Sequence, residues 1–362
     1  MDIRTLLYIY SQQSCAVKWN GSVSDSFKVS NGVRQGAVSS PVLFSLYIDD
    51  LFSLLRSSGL GCRLNNQFYG CLGYADDLLL LSGSRSGLQV MINKCAEFMK
   101  VKSLKFSTNV NPAKSKTKCV IFSKRAKDRI NVAPVKLNGD DLPWVPEIKH
   151  LGNLLESNNS MKRDITVKRG KFIGKINALS QEFFFASPEV FMKILNIYTV
   201  SFYGSGLWDM FSDECDRIYK AWNVAVRSAF KVPYTTHRYL IETISGCLHP
   251  KVLLACRYST FVKSLLSSSK YPVRVMASLC VTDQRSTMGR TMVKIIRECL
   301  LDMKDVRNIN PSLIKSKMMY FPVPKQEEWR VDFLLELLND ELEVPDFTEN
   351  EIRDVVDFIC SS

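Results

Sequence analysis

Gly73-Tyr74-Ala75-Asp76-Asp77 sits between two apolar stretches, Phe68–Leu72 and Leu78–Leu81. Apolar runs of this length predict strands buried on both faces, and a tight turn between them carries its polar tip to one end of a sheet. Two adjacent carboxylates at such a tip are costly to hold unless something cationic neutralises them. Magnesium, bound through one or two carboxylates plus substrate phosphates, meets that need. The bland alternative is a solvated acidic turn.

Working outward, Cys15–Asn20 and Ser26–Ser30 read as short strands around an Asn20-Gly21 hairpin signal. Ser39-Ser40-Pro41 then opens a helix, because proline suits the first helical position. Leu43, Phe44, Tyr47, Ile48, Leu51, Leu54 and Leu55 form its apolar stripe, which ends before Gly59. Asp49 and Asp50 lie in mid-helix, where neighbours point about 100° apart, so they read as a polar face and not as a shared site. A helix over 86–100 and a strand over 118–122 follow, then short strand-like pieces over 134–151 with an Asn138-Gly139 turn. Helices alternating with this many hairpins predict an α+β domain and argue against a doubly wound parallel sheet.

Beyond Ser157 the pattern is helix after helix: 163–182, 188 toward 203, 214–230, 250–266, 287–301, 327–338 and 348–359. The chain divides on this reading into 1–157, 158–270 and 271–362. With 362 residues, 46% hydrophobic and 23% charged, wholesale disorder is excluded. Eleven cysteines without a C-x-x-C pair argue against a disulfide framework and a zinc cluster. No apolar run approaches a membrane span, so no membrane partner is expected, and the setting reads as intracellular, nuclear or cytoplasmic.

The net charge of +12 is unevenly placed. Residues 100–136 hold eleven Lys/Arg against Asp128 alone, whereas 326–362 hold two basic residues against twelve acids. The basic block is interleaved with Phe106, Val120, Ile121 and Phe122, which predicts a basic surface on a folded element. Positive charge near a carboxylate tip points to nucleic acid, whose phosphates attract without regard to sequence.

The segments NGVRQGAVSSPVLFSLYIDDL, GYADDLLLLS, NPAKSKTKCVIF and HLG, in this order over roughly residues 15–155, resemble the consecutive palm motifs of reverse transcriptases, specifically those of jockey-type non-LTR retrotransposons. The resemblance implies an incomplete polymerase palm, an antiparallel sheet with helices, followed by a mostly α-helical thumb and C-terminal region. It implies an RNA template, a DNA primer, deoxynucleotides and Mg2+ as partners. Asp76 becomes the main metal ligand and catalytic carboxylate, Asp77 its weaker neighbour, and Tyr74 a residue near the primer end. Arg34, Gln35 and Gly36 fall at the nucleotide, with glycine allowing close backbone approach and the Gln35 amide reaching sugar or base. Lys114 and Lys116 are both matches for the lysine facing the triphosphate. His150, Leu151 and Gly152 match the turn that grips the primer, with His150 in place of the usual tyrosine.

Two departures carry expectations of their own. Ser39 stands where the family usually has leucine, no Phe/Leu-Asp-x-x-x-Ala-Phe-Asp type segment precedes Cys15, and Asp2 and Asp25 are the only acids before the Gln35-Gly36 motif. The expectation is a palm lacking one catalytic carboxylate and the fingers, inactive alone, with an open sheet edge prone to self-association or to pairing with a protein partner. A nucleic-acid-binding protein without catalysis is the alternative from the binding class, and an unrelated metal-dependent phosphotransferase the third.

Overall fold

The computed structural model describes residues 3–29, 32–108, 114–237, 240–241, 245–299 and 310–319. It is an α+β fold in which every strand belongs to a two-stranded antiparallel ribbon, six in all among the described residues. Two compact units divide the chain, one of 1–119 with 133–143 and one of 120–132 with 144–362.

The first unit opens on helix α1 (Ile3–Ser11), which has no buried residue although Ile3, Leu6, Leu7 and Tyr10 recur at helical spacing. Two nested hairpins follow: β1 (Ser14–Cys15) pairs with β4 (Phe27–Lys28), and β2 (Lys18–Trp19) with β3 (Ser22–Val23). Asn20 and Gly21 both take positive φ between β2 and β3, the primed turn their sequence predicts. Helix α2 (Ser40–Ser57) starts with proline in its first turn, as expected. Of its apolar stripe only Ile48, Leu51 and Leu55 are buried, and Asp49 and Asp50 are exposed.

Ribbon β5 (Arg63–Leu64) with β6 (Gln67–Phe68) leads into β7 (Cys71–Tyr74) and β8 (Asp77–Leu80). Helix α3 (Arg85–Val101) is capped by Ser84, whose side chain accepts from the Gly87 amide. Leu51, Leu55, Cys71, Met91 and Cys95 form the small core of this unit, with Phe52, Phe68, Leu78, Leu80 and Phe106 packed around it. Ribbon β9 (Val135–Leu137) with β10 (Asp140–Leu142) turns at Asn138-Gly139, again with both φ positive. Arg85 ties α3 to this ribbon's approach by donating to the carbonyls of Ala133 and Pro134.

Two strand expectations are corrected. The span 118–122 forms no strand: Cys119 alone bridges, its amide donating to the Pro143 carbonyl at 3.0 Å. The strands flanking the Asp76-Asp77 turn are not buried on both faces, because a two-stranded ribbon has no neighbours to cover it. Cys71 is the sole buried residue of the pair, and Leu72 is 46% exposed.

The second unit is built on ribbon β11 (Glu147–His150) with β12 (Asn153–Glu156) and on helices α4 (Lys162–Glu182), α5 (Pro188–Thr199) and α6 (Asp213–Phe230). Helices Pro250–Leu266, Tyr271–Thr282, Thr287–Glu298 and Pro311–Met319 follow. Its core gathers Phe172, Leu195, Trp208, Trp222, Ile241, Tyr258 and Ile295. The helices expected over 163–182, 214–230 and 250–266 match within a residue or two; Tyr271–Thr282 and Pro311–Met319 are additions to the expected set. The helices expected over 327–338 and 348–359 lie outside the described residues. Among the described residues no helix is long and apolar enough to cross a membrane.

Candidate nucleotidyl-transfer site

The Asp76-Asp77 tip is positioned by one steric requirement at its base. A Cβ on Gly73 would overlap the ring of Phe52 on α2, so any larger residue there would have to displace that ring. Tyr74 pairs with Asp77 across a two-residue loop, and Ala75 in that loop holds φ at 50°, a left-handed conformation unusual for a residue with a Cβ. Such strain, about 1–2 kcal/mol, collects at functional turns. Tyr74, Asp76 and Asp77 are all exposed at this tip. The carboxylates are therefore solvated, and the expected cost of a buried unpaired pair does not arise.

The donor set bears on magnesium. Two hard carboxylates on one rigid tip suit a single Mg2+ held through one or two carboxylates, phosphates and water. Among the described residues no group of three or more His, Cys, Asp or Glu comes together. Asp25 is exposed in the turn region between β3 and β4, and Asp2 lies outside the described residues. Asp50 is engaged by the Lys102 ammonium at 3.4 Å.

Arg34-Gln35-Gly36-Ala37 forms a turn immediately before α2, closed by the Ala37 amide donating to the Arg34 carbonyl. Gly36 holds φ at 83°, and a Cβ there would meet nothing within 4 Å. The glycine thus serves the turn conformation within the fold, the third position of a type II turn. Buried Ser40 fixes the turn to the helix start, its hydroxyl donating to the Arg34 carbonyl at 2.6 Å. Arg34 and Gln35 are left exposed. Ser40 to Phe52 covers about 18 Å of helix at 1.5 Å per residue, so α2 is the common ruler of this turn and the carboxylate tip. Lys114 and Lys116 are exposed on either side of buried Ser115, whose hydroxyl donates to the Thr117 carbonyl.

His150, Leu151 and Gly152 belong to the second unit, at the tip of the β11–β12 ribbon. Leu151 and Gly152 take φ of 45° and 78°, the geometry that Asn20-Gly21 and Asn138-Gly139 adopt elsewhere. Leucine lacks the short polar side chain that makes asparagine tolerant there. Beneath this tip lies a network that sequence reasoning misses. Asp164, 1% exposed, accepts from the Leu154 amide (3.0 Å), Lys168 Nζ (2.8 Å) and Trp208 Nε1 (2.8 Å). Lys168 Nζ also donates to Asn153 Oδ1 at 2.7 Å. The i,i+4 spacing of Asp164 and Lys168 is legible, but Trp208 lies too far along the chain to be paired by periodicity.

The reverse transcriptase (RNA-dependent DNA polymerase) family model matches residues 2–155, which hold all the residues above except the anchors Asp164, Lys168 and Trp208. Residues 2–155 are similar to reverse transcriptases. Three relatives agree. The Retrovirus-related Pol polyprotein from type-2 retrotransposable element R2DM of Drosophila melanogaster is 33% identical over 100 residues, 28% of this chain and 9% of the relative. That from type-1 retrotransposable element R1 of Bradysia coprophila is 25% identical over 154 residues, 42% and 14%. That from type-1 retrotransposable element R2 of Popillia japonica is 30% identical over 105 residues, 28% and 15%. All three relatives are Pol polyproteins of retrotransposable elements, and the matches span 9–15% of their lengths.

Proposed function

We propose that this chain carries part of an RNA-directed DNA polymerase palm followed by a thumb-like helical region, with Asp76 and Asp77 as its metal-binding carboxylates. The observation that carries the reading is the tip itself: Tyr74, Asp76 and Asp77 are all exposed at one end of a ribbon that packs against α2 through Gly73 and Phe52. Bound there, Mg2+ would stabilise the attacking and leaving oxygens of an in-line displacement. Gln35 orients the nucleotide through its amide, and Lys114 or Lys116 meets the triphosphate as a point charge. His150, Leu151 and Gly152 contact the primer strand on an RNA template. A two-ion centre needs more carboxylates than this pair, so the chain alone binds magnesium weakly and extends primers at background level.

Primer extension on an RNA template with Mg2+, comparing the chain with Asp76→Ala, tests this. Background extension by both is expected, and extension lost only in the variant would overturn the expected inactivity. The second reading, nucleic-acid binding without catalysis, is favoured by the exposed Lys114 and Lys116. It predicts a salt-dependent affinity untouched by Asp76→Ala and a shallower salt slope when the two lysines are neutralised.

A further inference from the structure

We infer that Tyr203 is a nucleic-acid contact, its ring a platform on which a base of the strand seated at the His150–Gly152 turn stacks. The inference rests on the proposal that this turn meets the primer strand, and adds a residue that neither the palm motifs nor the 2–155 match contains.

Tyr203 stands 63% exposed between two residues held firmly in place. On one side Phe202 is 5% exposed, its ring 5.3 Å from Phe172 and 6.1 Å from Trp208. On the other, a Cβ on Gly204 would overlap the Asn153 amide, so the chain passes directly over the β11–β12 ribbon. Arg257 fastens the approach by donating to the carbonyls of Val200 and Ser201, both at 2.7 Å. Phe202 holds φ at 36°, left-handed for a bulky side chain. The fold thus tolerates conformational strain to turn one aromatic outward on a rigid stretch.

Where the ring points is equally specific. A Cβ on Gly152 would lie 3.1 Å from Tyr203 Cε1, so the ring abuts the backbone of the turn. The Lys168 ammonium lies 5.9 Å from the ring centroid while bound to Asp164 and Asn153, which tie the same turn down from below. Ring and turn therefore form one continuous surface with a single buried support. A lone exposed aromatic is ordinary. An aromatic held by strain, with Gly204 pressed on the Asn153 amide, the Gly152 backbone against its ring and a buried ion pair beneath, beside a turn whose own leucine is left-handed, is not explained by folding alone.

Charge selects the occupant. Residues 120–132 and 144–175 of this unit carry eleven Lys/Arg against four acids. A polyanion with flat aromatic faces suits this excess of positive charge along the segments that carry the turn and its support, and base–aromatic stacking needs no particular sequence.

The test uses the full chain and a labelled DNA primer annealed to RNA, read by fluorescence anisotropy over a salt series. Tyr203→Phe keeps affinity within about twofold, whereas Tyr203→Ala weakens it about 5- to 150-fold, the range of one lost stacked base. The slope of log affinity against log salt stays unchanged in both, since stacking releases no counterions. A bromodeoxyuridine-substituted primer photocrosslinked to the unaltered chain places the adduct on Tyr203, independently of any variant's folding. Unchanged affinity in Tyr203→Ala with crosslinks elsewhere, while His150→Ala weakens binding, would overturn the inference and leave the turn's role standing. Loss in neither variant, or no duplex binding by the unaltered chain, would overturn both. Concentration-dependent self-association abolished by Tyr203→Ala at unchanged duplex affinity would assign the ring to a protein contact and overturn the inference.

Discussion

Replacing Asp164 by alanine removes the carboxylate on which the base of the β11–β12 ribbon converges. Three donors lose their acceptor at once: the Lys168 ammonium, whose side chain is 15% exposed, the fully buried Trp208 indole and the Leu154 amide. Breaking a buried pair by deleting one partner costs about 3–5 kcal/mol, and each orphaned neutral donor about 1–3 kcal/mol before relaxation. The terms overlap because one residue serves all three, so a total of about 4–5 kcal/mol is expected. That is a large part of the roughly 5–15 kcal/mol available to a folded domain. Asp164→Asn with Lys168→Met removes both charges and keeps one acceptor, enough for the Leu154 amide or the Trp208 indole but not for both. With one neutral donor still orphaned it should cost about 1–3 kcal/mol, less than Asp164→Ala alone. Urea unfolding followed by tryptophan fluorescence, with amide exchange at Leu154 as the local probe, measures both. An Asp164→Ala loss below about 0.5 kcal/mol, or a double variant costing the sum of its single changes, would refute the role given to this network.

Leu151→Asn should raise stability by about 1 kcal/mol, because asparagine tolerates the left-handed conformation that Leu151 holds; thermal unfolding reads it. Gly73→Ala should cost about 1–3 kcal/mol through overlap with Phe52, and adding Phe52→Leu should recover part of it; denaturant midpoints decide. Burial pushes the Cys71, Cys95 and Cys215 thiols up to about 12 and Cys119 to about 11, so at about pH 8 a maleimide labels exposed Cys15 first and these four only on unfolding, as mass spectrometry would show. These raised thiols keep their protons when folded and lose them near pH 9 when unfolded, so stability falls as pH rises above about 9, measurable as a declining urea midpoint.

Local signals carry much of the fold. Asn20-Gly21 and Asn138-Gly139 announce their turns because both residue types accept positive φ, and Ser39-Ser40-Pro41 announces α2. The failures have physical causes. An apolar run does not fix its own burial: Phe68–Leu72 and Leu78–Leu81 read as buried on both faces, yet burial depends on neighbouring strands that a two-stranded ribbon lacks. Lys118–Phe122 has strand composition, but only Cys119 finds a partner. Helix α1 has helical spacing at Ile3, Leu6, Leu7 and Tyr10, yet it buries nothing. At the candidate site, Tyr74, Asp76 and Asp77 are legible because one turn holds them. The support under His150–Gly152 is not, since Asn153, Asp164, Tyr203 and Trp208 meet only through the tertiary fold.

Iron-directed cleavage tests the central claim most directly. With Fe2+ in place of Mg2+, and ascorbate and peroxide present, hydroxyl radicals cut the backbone beside a bound ion. Cuts mapped by mass spectrometry should cluster at residues 74–78, be suppressed by excess Mg2+ and disappear in Asp76→Ala. Cleavage absent from that tip, or undiminished by Asp76→Ala, would contradict its assignment as the metal-binding carboxylate pair.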